Sequence, residues 1–441
     1  MTTRPAWTPD PGLVRQVEEQ FEGAINSYQA LPTLIPEHAG LEESIRTGGY
    51  ANRTLHELVQ NAADAMSGDS TAHQGAAGRV EIVLDIENHN LYCANTGRPF
   101  SASGFTSIMH AYVSAKRGDE IGRFGLGFKS VLAVSTAPQV FSRSISFEFN
   151  SLAARNRLAA IGFAAKRYPV LRTATVIDPD TAFAADSVLA ELAEWATTIV
   201  KLPLVTGLDR LRREIEDFAS EFLLFVGAVR EVRLRIIDPE EFETSHRSRD
   251  FGDGIFKIER PDGSGDEWIV ENRMHESSAE ARAEVGEAVS RKRVKVTVAV
   301  PKRHARLRIG KFWSYFPLVD NTSASALFNA PWSVNDDRTT LLENAYNREI
   351  LGTVAGMFVE LLPRLSGDDD PAVHLDYMPA RGDESLSFGD KLLCAHVPRF
   401  AAIRQLVPNA SGTLTAATEL RPLDFAVEVN SEVHRAWISS P

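Results

Sequence analysis

Glu57, Asn61 and Asp64 stand at i, i+4 and i+7 in the stretch ELVQNAADA, residues 57–65. At 3.6 residues per turn, that spacing lays two carboxylates and an amide along one face of a helix. Leu58, Ala62 and Ala65 make the neighbouring stripe, so the polar face is partly walled in by apolar side chains. An asparagine carbonyl is a neutral, hard oxygen ligand, suited to a magnesium ion that must also hold phosphate oxygens and water. A glutamate one turn earlier is within reach of a water near a terminal phosphate and has the chemistry of a general base.

Three further pieces follow in chain order. Asn95-Thr96-Gly97 closes a strand, where a polar side chain followed by glycine can set an acceptor against a purine edge. In IGRFGLGFKS (121–130), Gly122, Gly125 and Gly127 bracket Arg123, Phe124 and Leu126 and precede a helical run. Glycines in that position let backbone N–H groups approach phosphate. Lys116 and Arg117, in the loop before them, have the charge to close over phosphates as part of a lid. Thr198 opens the strand TIVKLPL. Each piece alone has an ordinary reading: a tight turn for the glycines, a solvated helix face for Glu57, plain strand propensity for Thr198. Their order, within one domain and on fitting element types, points to a nucleotide site.

These boxes resemble the Bergerat-fold ATPases, the GHKL superfamily of gyrase, the ninety-kilodalton heat-shock chaperone, histidine kinases and MutL. ELVQNAADA and IGRFGLGFKSV look most like the chaperone and its sacsin-type and MORC relatives. The resemblance implies water activation by Glu57, magnesium on Asn61 and support of the nucleotide by Asp64. It puts Gly122, Gly125, Gly127 and Phe124 in the phosphate lid and Thr198 near the adenine. NAPWSVNDDRTTLL (329–342) is similar to the chaperone middle-domain loop whose arginine reaches the terminal phosphate, which maps onto Arg338. A cation there would stabilise charge on the transferring phosphoryl group. The structural alternative is a helix N-terminus capped by Asn335, Asp336 or Asp337, with Arg338 in solvent. Relatives usually carry aspartate where Asn95 stands; an amide still offers an acceptor but can flip to donate. The likeness is specific over 50–205, weaker over 208–362 and absent after 366.

The implied activity is magnesium-dependent ATP binding and slow hydrolysis to ADP and phosphate, driving lid and interdomain closure. A chaperone-like machine with a protein client is the default load, and an ATP-dependent homodimer is in keeping with the relatives. Two alternatives stay open: a MORC- or MutL-like nucleic-acid clamp in genome or phage defence, and a nucleotide sensor that never turns over. Neutralising Arg291, Lys292 and Arg303 would separate the first. These sit in RKRVKVTVAVPKRHARLRIGK (291–311), whose nine Lys and Arg residues without an acid read as two strands with one basic face. The net charge of −12 argues against an extended nucleic-acid surface and for a solvated sheet face.

The elements that must position these residues suggest an α+β fold. Residues 1–206 read as a Bergerat-type two-layer α/β sandwich, helices on one face of a mixed, mainly antiparallel sheet. Helical spacing runs over 11–30 and 38–66, and VEIVLDIENHNLYCAN (80–95) reads as a hairpin turning at 87–90. Strand-like stretches at 138–150 and 197–204 flank a short helix at 184–195. A smaller, transducer-like α/β domain is expected over 207–365, opening on one amphipathic helix over 208–229. SGDDDP (366–371) is a linker signal before 366–441, a segment of unknown role that reads as the start of a further domain. No apolar run approaches membrane-spanning length, the N-terminus lacks a signal-peptide layout, and two distant cysteines give neither a disulfide framework nor a metal cluster. A reducing, cytoplasmic setting is the expectation.

Overall fold

The structure is a computed structural model that describes residues 6–47, 53–67, 78–109, 127–160, 162, 165–238, 241–286, 291–302, 310–335, 337–379, 387–409, 411–420 and 432. It is an α+β protein built on a large mixed sheet. The chain divides into two compact units: 1–250 with 257–265 and 336–338, and 251–256 with 266–335 and 339–441.

In the first unit the strands are β1 (Arg79–Asp85), β2 (Asn90–Asn95), β3 (Gln139–Ser142), β4 (Ile145–Phe149), β5 (Ala174–Val176), β6 (Thr198–Pro203), β7 (Glu231–Ile237) and β8 (Phe242–Asp250). Their order across the sheet is β8-β7-β1-β2-β6-β3-β4-β5. Only β1 and β7 pair in parallel; the other neighbours are antiparallel. The expected hairpin forms from β1 and β2, with His89 of the turn in the left-handed region at φ 53°. The stretch 138–150 is a second hairpin rather than one strand, because Arg143-Ser144 turns it.

The helices of this unit are α1 (Pro11–Ala30), α2 (Leu34–Thr47), α3 (Thr54–Met66), α4 (Ala102–Met109), α5 (Ser151–Ala160), α6 (Pro179–Ala185), α7 (Ser187–Ala193), α8 (Leu208–Glu216) and α9 (Phe222–Phe225). α1 starts where Asp10 accepts from the N–H groups of Gly12 and Leu13, with Pro11 preset for the first turn. It buries Val17, Phe21, Ala24 and Tyr28, one helical stripe. α3 lies against β1 and β2. The side chains of Val83, Tyr92, Ala94, Phe141 and Ile199, which alternate away from that side, pack with Leu189, Leu192 and Trp7. Helices therefore cover both faces of this sheet, not one as expected. That explains the unbroken burial of β1 from Val80 to Asp85, Glu81 included.

The single helix expected over 208–229 is two pieces. α8 ends at Asp217, and Phe222, Leu223, Leu224 and Phe225 of α9 are all buried.

The chain changes unit within β9 (Ile255–Glu259). The second unit contains β10 (Gly265–Glu276), β11 (Arg293–Pro301), β12 (Gly310–Ser314), β13 (Phe316–Thr322) and β14 (Leu327–Asn329), ordered β13-β12-β14-β11-β10. A short α10 (Ala279–Ala283) precedes β11, and β15 (Gln405–Pro408) pairs with β16 (Leu414–Ala416). Val294, Val296, Val298 and Val300 point inward at period two onto α11 (Ala345–Leu361), and α12 (Phe388–Ala402) adds Leu393 and Val397 to the same core. Among the described residues, no helix is long and apolar enough to cross a membrane.

Candidate functional site

The polar stripe of α3 is walled in more completely than its sequence suggests. Thr54, Glu57, Gln60 and Asp64 are all buried, alongside Leu55, Leu58, Val59, Ala62 and Ala63, whereas Asn61 keeps partial exposure. Glu57 is 2% exposed. An isolated carboxylate at that depth would be strongly destabilising. Its partner is Arg338, whose Nη1 lies 2.7 Å from Glu57 Oε1 across 281 positions of sequence. Residues 336–338 belong to the same compact unit as α3. Arg338 has φ 52°, a left-handed conformation rare for a non-glycine residue. Its carbonyl oxygen accepts from Arg53 Nη1 at 2.7 Å. Arg53 is itself buried at the start of α3 and also faces Glu214. Burial pushes Glu214 up to about 7, against the pull of Arg210 and Arg53.

The alternatives in which Glu57 and Arg338 are solvated are therefore not what the structure has. Nor does Asn335 or Asp337 cap a helix (Asp336 lies outside the described residues): α11 begins at Ala345, capped by Asn344, whose side chain accepts from the Asn347 N–H. Asn335 instead accepts from the N–H groups of Thr339 (2.8 Å) and Thr340 (3.1 Å), bracketing the turn that carries Arg338.

Asn95 and Thr198 are direct cross-strand partners of β2 and β6, and Ser142 of β3 is opposite Thr198 in turn. Strand pleating puts all three on one face, at adjoining strand ends, the face toward α3. Thr198 Oγ1 and Ser142 Oγ are 3.0 Å apart, and both residues are buried, as is Asn95. The Asn95 amide nitrogen donates to the Thr96 carbonyl at 2.5 Å, which leaves its side-chain oxygen as the acceptor end. Ser142 had no signal in the sequence; register alone brings it here.

Gly97 and Arg98 tie this strand end to the C-terminus of α3. Gly97 has φ 112°, and a Cβ there would lie 2.8 Å from the Ala65 carbonyl oxygen and the Met66 side chain. The Arg98 N–H donates to the Ala65 carbonyl (2.9 Å), and its guanidinium to those of Asp64 (3.3 Å) and Ser67 (2.7 Å). Those are the carbonyls a helix end leaves without partners. Gly97 and Arg98 thus serve the fold by closing the C-terminal end of α3 against the end of β2.

At its other end, α3 packs on the 3-10 helix Gly127–Ala133, with Thr54 Oγ1 donating to the Ser130 carbonyl at 3.2 Å. Gly127 opens that helix, while Lys116, Gly122, Arg123, Phe124, Gly125 and Leu126 lie outside the described residues. Two ionisable groups belong to this corner, Lys129 buried within that helix and Glu42 half-buried nearby, and sequence spacing singled out neither. Lys129 is 3% exposed, and burial together with Arg172 brings it down to about 8. Glu42 of α2 accepts from the N–H groups of Val170 (2.8 Å) and Leu171 (2.9 Å), yet burial outweighs these and the nearby cations and pushes it up to about 7.

Magnesium is the ion that the family resemblance implies, one that would arrive together with phosphate. No three His, Cys, Asp or Glu side chains among the described residues could hold a metal alone. Asn61, at a part-exposed helix position, would contribute one neutral oxygen to such an ion, whose waters and substrate oxygens would complete its shell. In the second unit, the basic stretch is less continuous than its sequence. Arg293 and Lys295 are exposed on β11, Arg293 lies 3.5 Å from Glu276, and residues 303–309 lie outside the described residues. No protein-family model matches the chain, and no curated protein matches it.

Proposed function

We propose that this chain is a magnesium-dependent ATPase of the GHKL type, with a Bergerat-like first unit, that couples slow hydrolysis to conformational change. The observation that carries the reading is the 2.7 Å pair between Glu57 and Arg338. Two residues 281 positions apart, to which the resemblance gives water activation and contact with the terminal phosphate, meet at one buried point. The opposed Asn95 and Thr198 support it further, because the two residues assigned to the adenine side face the same helix.

In this reading the nucleotide lies along α3, its base toward Asn95, Thr198 and Ser142, its phosphates toward Asn61 and the glycine run. The assignment of Gly122, Gly125 and their neighbours to phosphate rests on the motif. Glu57 takes a proton from the attacking water as the water oxygen bonds to the terminal phosphorus and the bond to the bridging oxygen breaks, releasing ADP. Magnesium, when bound through Asn61, screens the phosphate charge. Arg338 adds positive charge beside the reacting group. The output is movement of attached parts or of a client, as in sacsin-type relatives.

Phosphate release measured with Mg·ATP tests this. Glu57→Ala is expected to lower the rate by at least about 100-fold, the scale of a general base, while retaining nucleotide affinity. Equal release by wild type and variant removes the enzymatic claim.

A further inference from the structure

Arg53 belongs to none of the motif boxes, and its local position disfavours it. It stands immediately before α3, where Ser, Thr, Asp or Asn would cap the first turn, and its side chain makes no capping bond. A cation there also meets the positive end of the helix dipole. Yet Arg53 is buried, only 7% exposed, a costly place for a charge. A residue that breaks local rules at a buried position is placed there for a distant partner. Its guanidinium Nη1 donates to the Arg338 carbonyl oxygen at 2.7 Å, across 285 positions of sequence.

Arg53 precedes Glu57 by four residues, one turn earlier on the same helix. This end of α3 therefore meets residue 338 twice: Arg53 bonds its backbone, and Glu57 pairs with its head group at 2.7 Å. The backbone needs such a hold. Its φ of 52° is left-handed, a conformation that persists in a non-glycine residue only where the surroundings over-determine it. Rotation of φ would swing the Cα–Cβ bond and carry the guanidinium away from Glu57.

We propose that Arg53 is a positioning residue: through the Arg338 carbonyl it fixes the turn that sets the Arg338 guanidinium beside Glu57 and the terminal phosphate. This rests on the ATPase reading and adds to it a residue that acts through the backbone of another.

Calorimetric titration of the full chain with magnesium and either ADP or the non-hydrolysable β,γ-imido analogue of ATP reads the placement of Arg338, because only the analogue carries the terminal phosphate. Arg53→Met keeps a long side chain and removes its donors. It is expected to cut the preference for the analogue over ADP about tenfold while leaving ADP affinity unchanged. Arg53→Lys retains a donor head and is expected to restore part of that preference. With Arg338→Met already in place, Arg53→Met is expected to change the preference by less than about twofold. A role in folding alone would weaken both nucleotides together, and that outcome overturns the assignment. So does an equal loss of preference with and without Arg338, an undiminished preference in Arg53→Met, or a wild type that binds the two equally. If Arg53→Met shows no thermal transition, Arg53→Lys carries the cycle, with a smaller loss expected and the same overturning outcomes. A wild type that binds neither nucleotide removes the ATPase reading and this inference with it, an outcome distinct from the others.

Discussion

At the scale of single residues, the site is governed by close approaches that leave little choice of side chain. Gly97 is the clearest case. It combines a left-handed φ with a hypothetical Cβ contact of 2.8 Å to a helix carbonyl, so any other residue meets both backbone strain and a clash. Gly97→Ala is expected to lower stability by about 1–3 kcal/mol. The readout is the thermal midpoint of the whole chain, and an unchanged midpoint would mean that the α3 end and the β2 end are not held together as described. Asn95 makes the opposite point. Its amide nitrogen is committed to Thr96, so its side-chain oxygen is the end left to accept.

At the scale of elements, α2 is fastened to the 170–172 loop through Glu42, whose two oxygens accept from successive backbone N–H groups. Its folded pKa, about 7, lies above the ordinary value of 4.5. A group raised in this way binds more protons folded than unfolded between those values. Its stabilisation is therefore fully present below about 4.5 and is lost as pH rises through about 7. A shift of that size corresponds to ~3 kcal/mol at most. Melting temperatures of wild type and Glu42→Gln between pH 5 and pH 8 check it: the wild type is expected to lose stability faster across that window. Parallel curves would rule the contribution out. The same scale shows what could be read in advance. The β1–β2 hairpin was legible because alternation and a polar turn coincide, and α3 because its apolar stripe and polar stripe share one period. The break between α8 and α9 was not, because FLLFV continues the apolar run of the preceding helix and nothing in it forbids helix. The Asn95–Thr198–Ser142 row was half legible: register across three strands is a non-local property, set by pairing and not by spacing along the chain. Helices on both sheet faces were missed because α6 and α7 are each seven residues long, too short for a periodic signal.

At the scale of the whole molecule, the first unit is not one continuous piece of chain. It takes in 336–338 long after its main run ends at Asp250. A fragment of residues 1–265 would retain Glu57 and lose Arg338, leaving a carboxylate buried without that guanidinium. Breaking a buried pair by removing one partner typically costs about 3–5 kcal/mol, whereas removing both charges costs far less. The fragment is accordingly expected to melt well below the same unit in the full chain, and Glu57→Gln to raise its midpoint. If that substitution lowers the midpoint, the ion pair is not what the fragment lacks. The motif-bearing segments were legible one by one, but this return of the chain was not, since no local pattern announces which distant residue a buried charge will meet.

That late return also sets a timetable for synthesis. As the protein leaves the ribosome, α3 emerges with its carboxylate some 280 residues before the cation that neutralises it. The nascent first unit must wait, with Glu57 still hydrated, until the turn at Arg338 clears the exit tunnel, so this corner is expected to be among the last to lock in place.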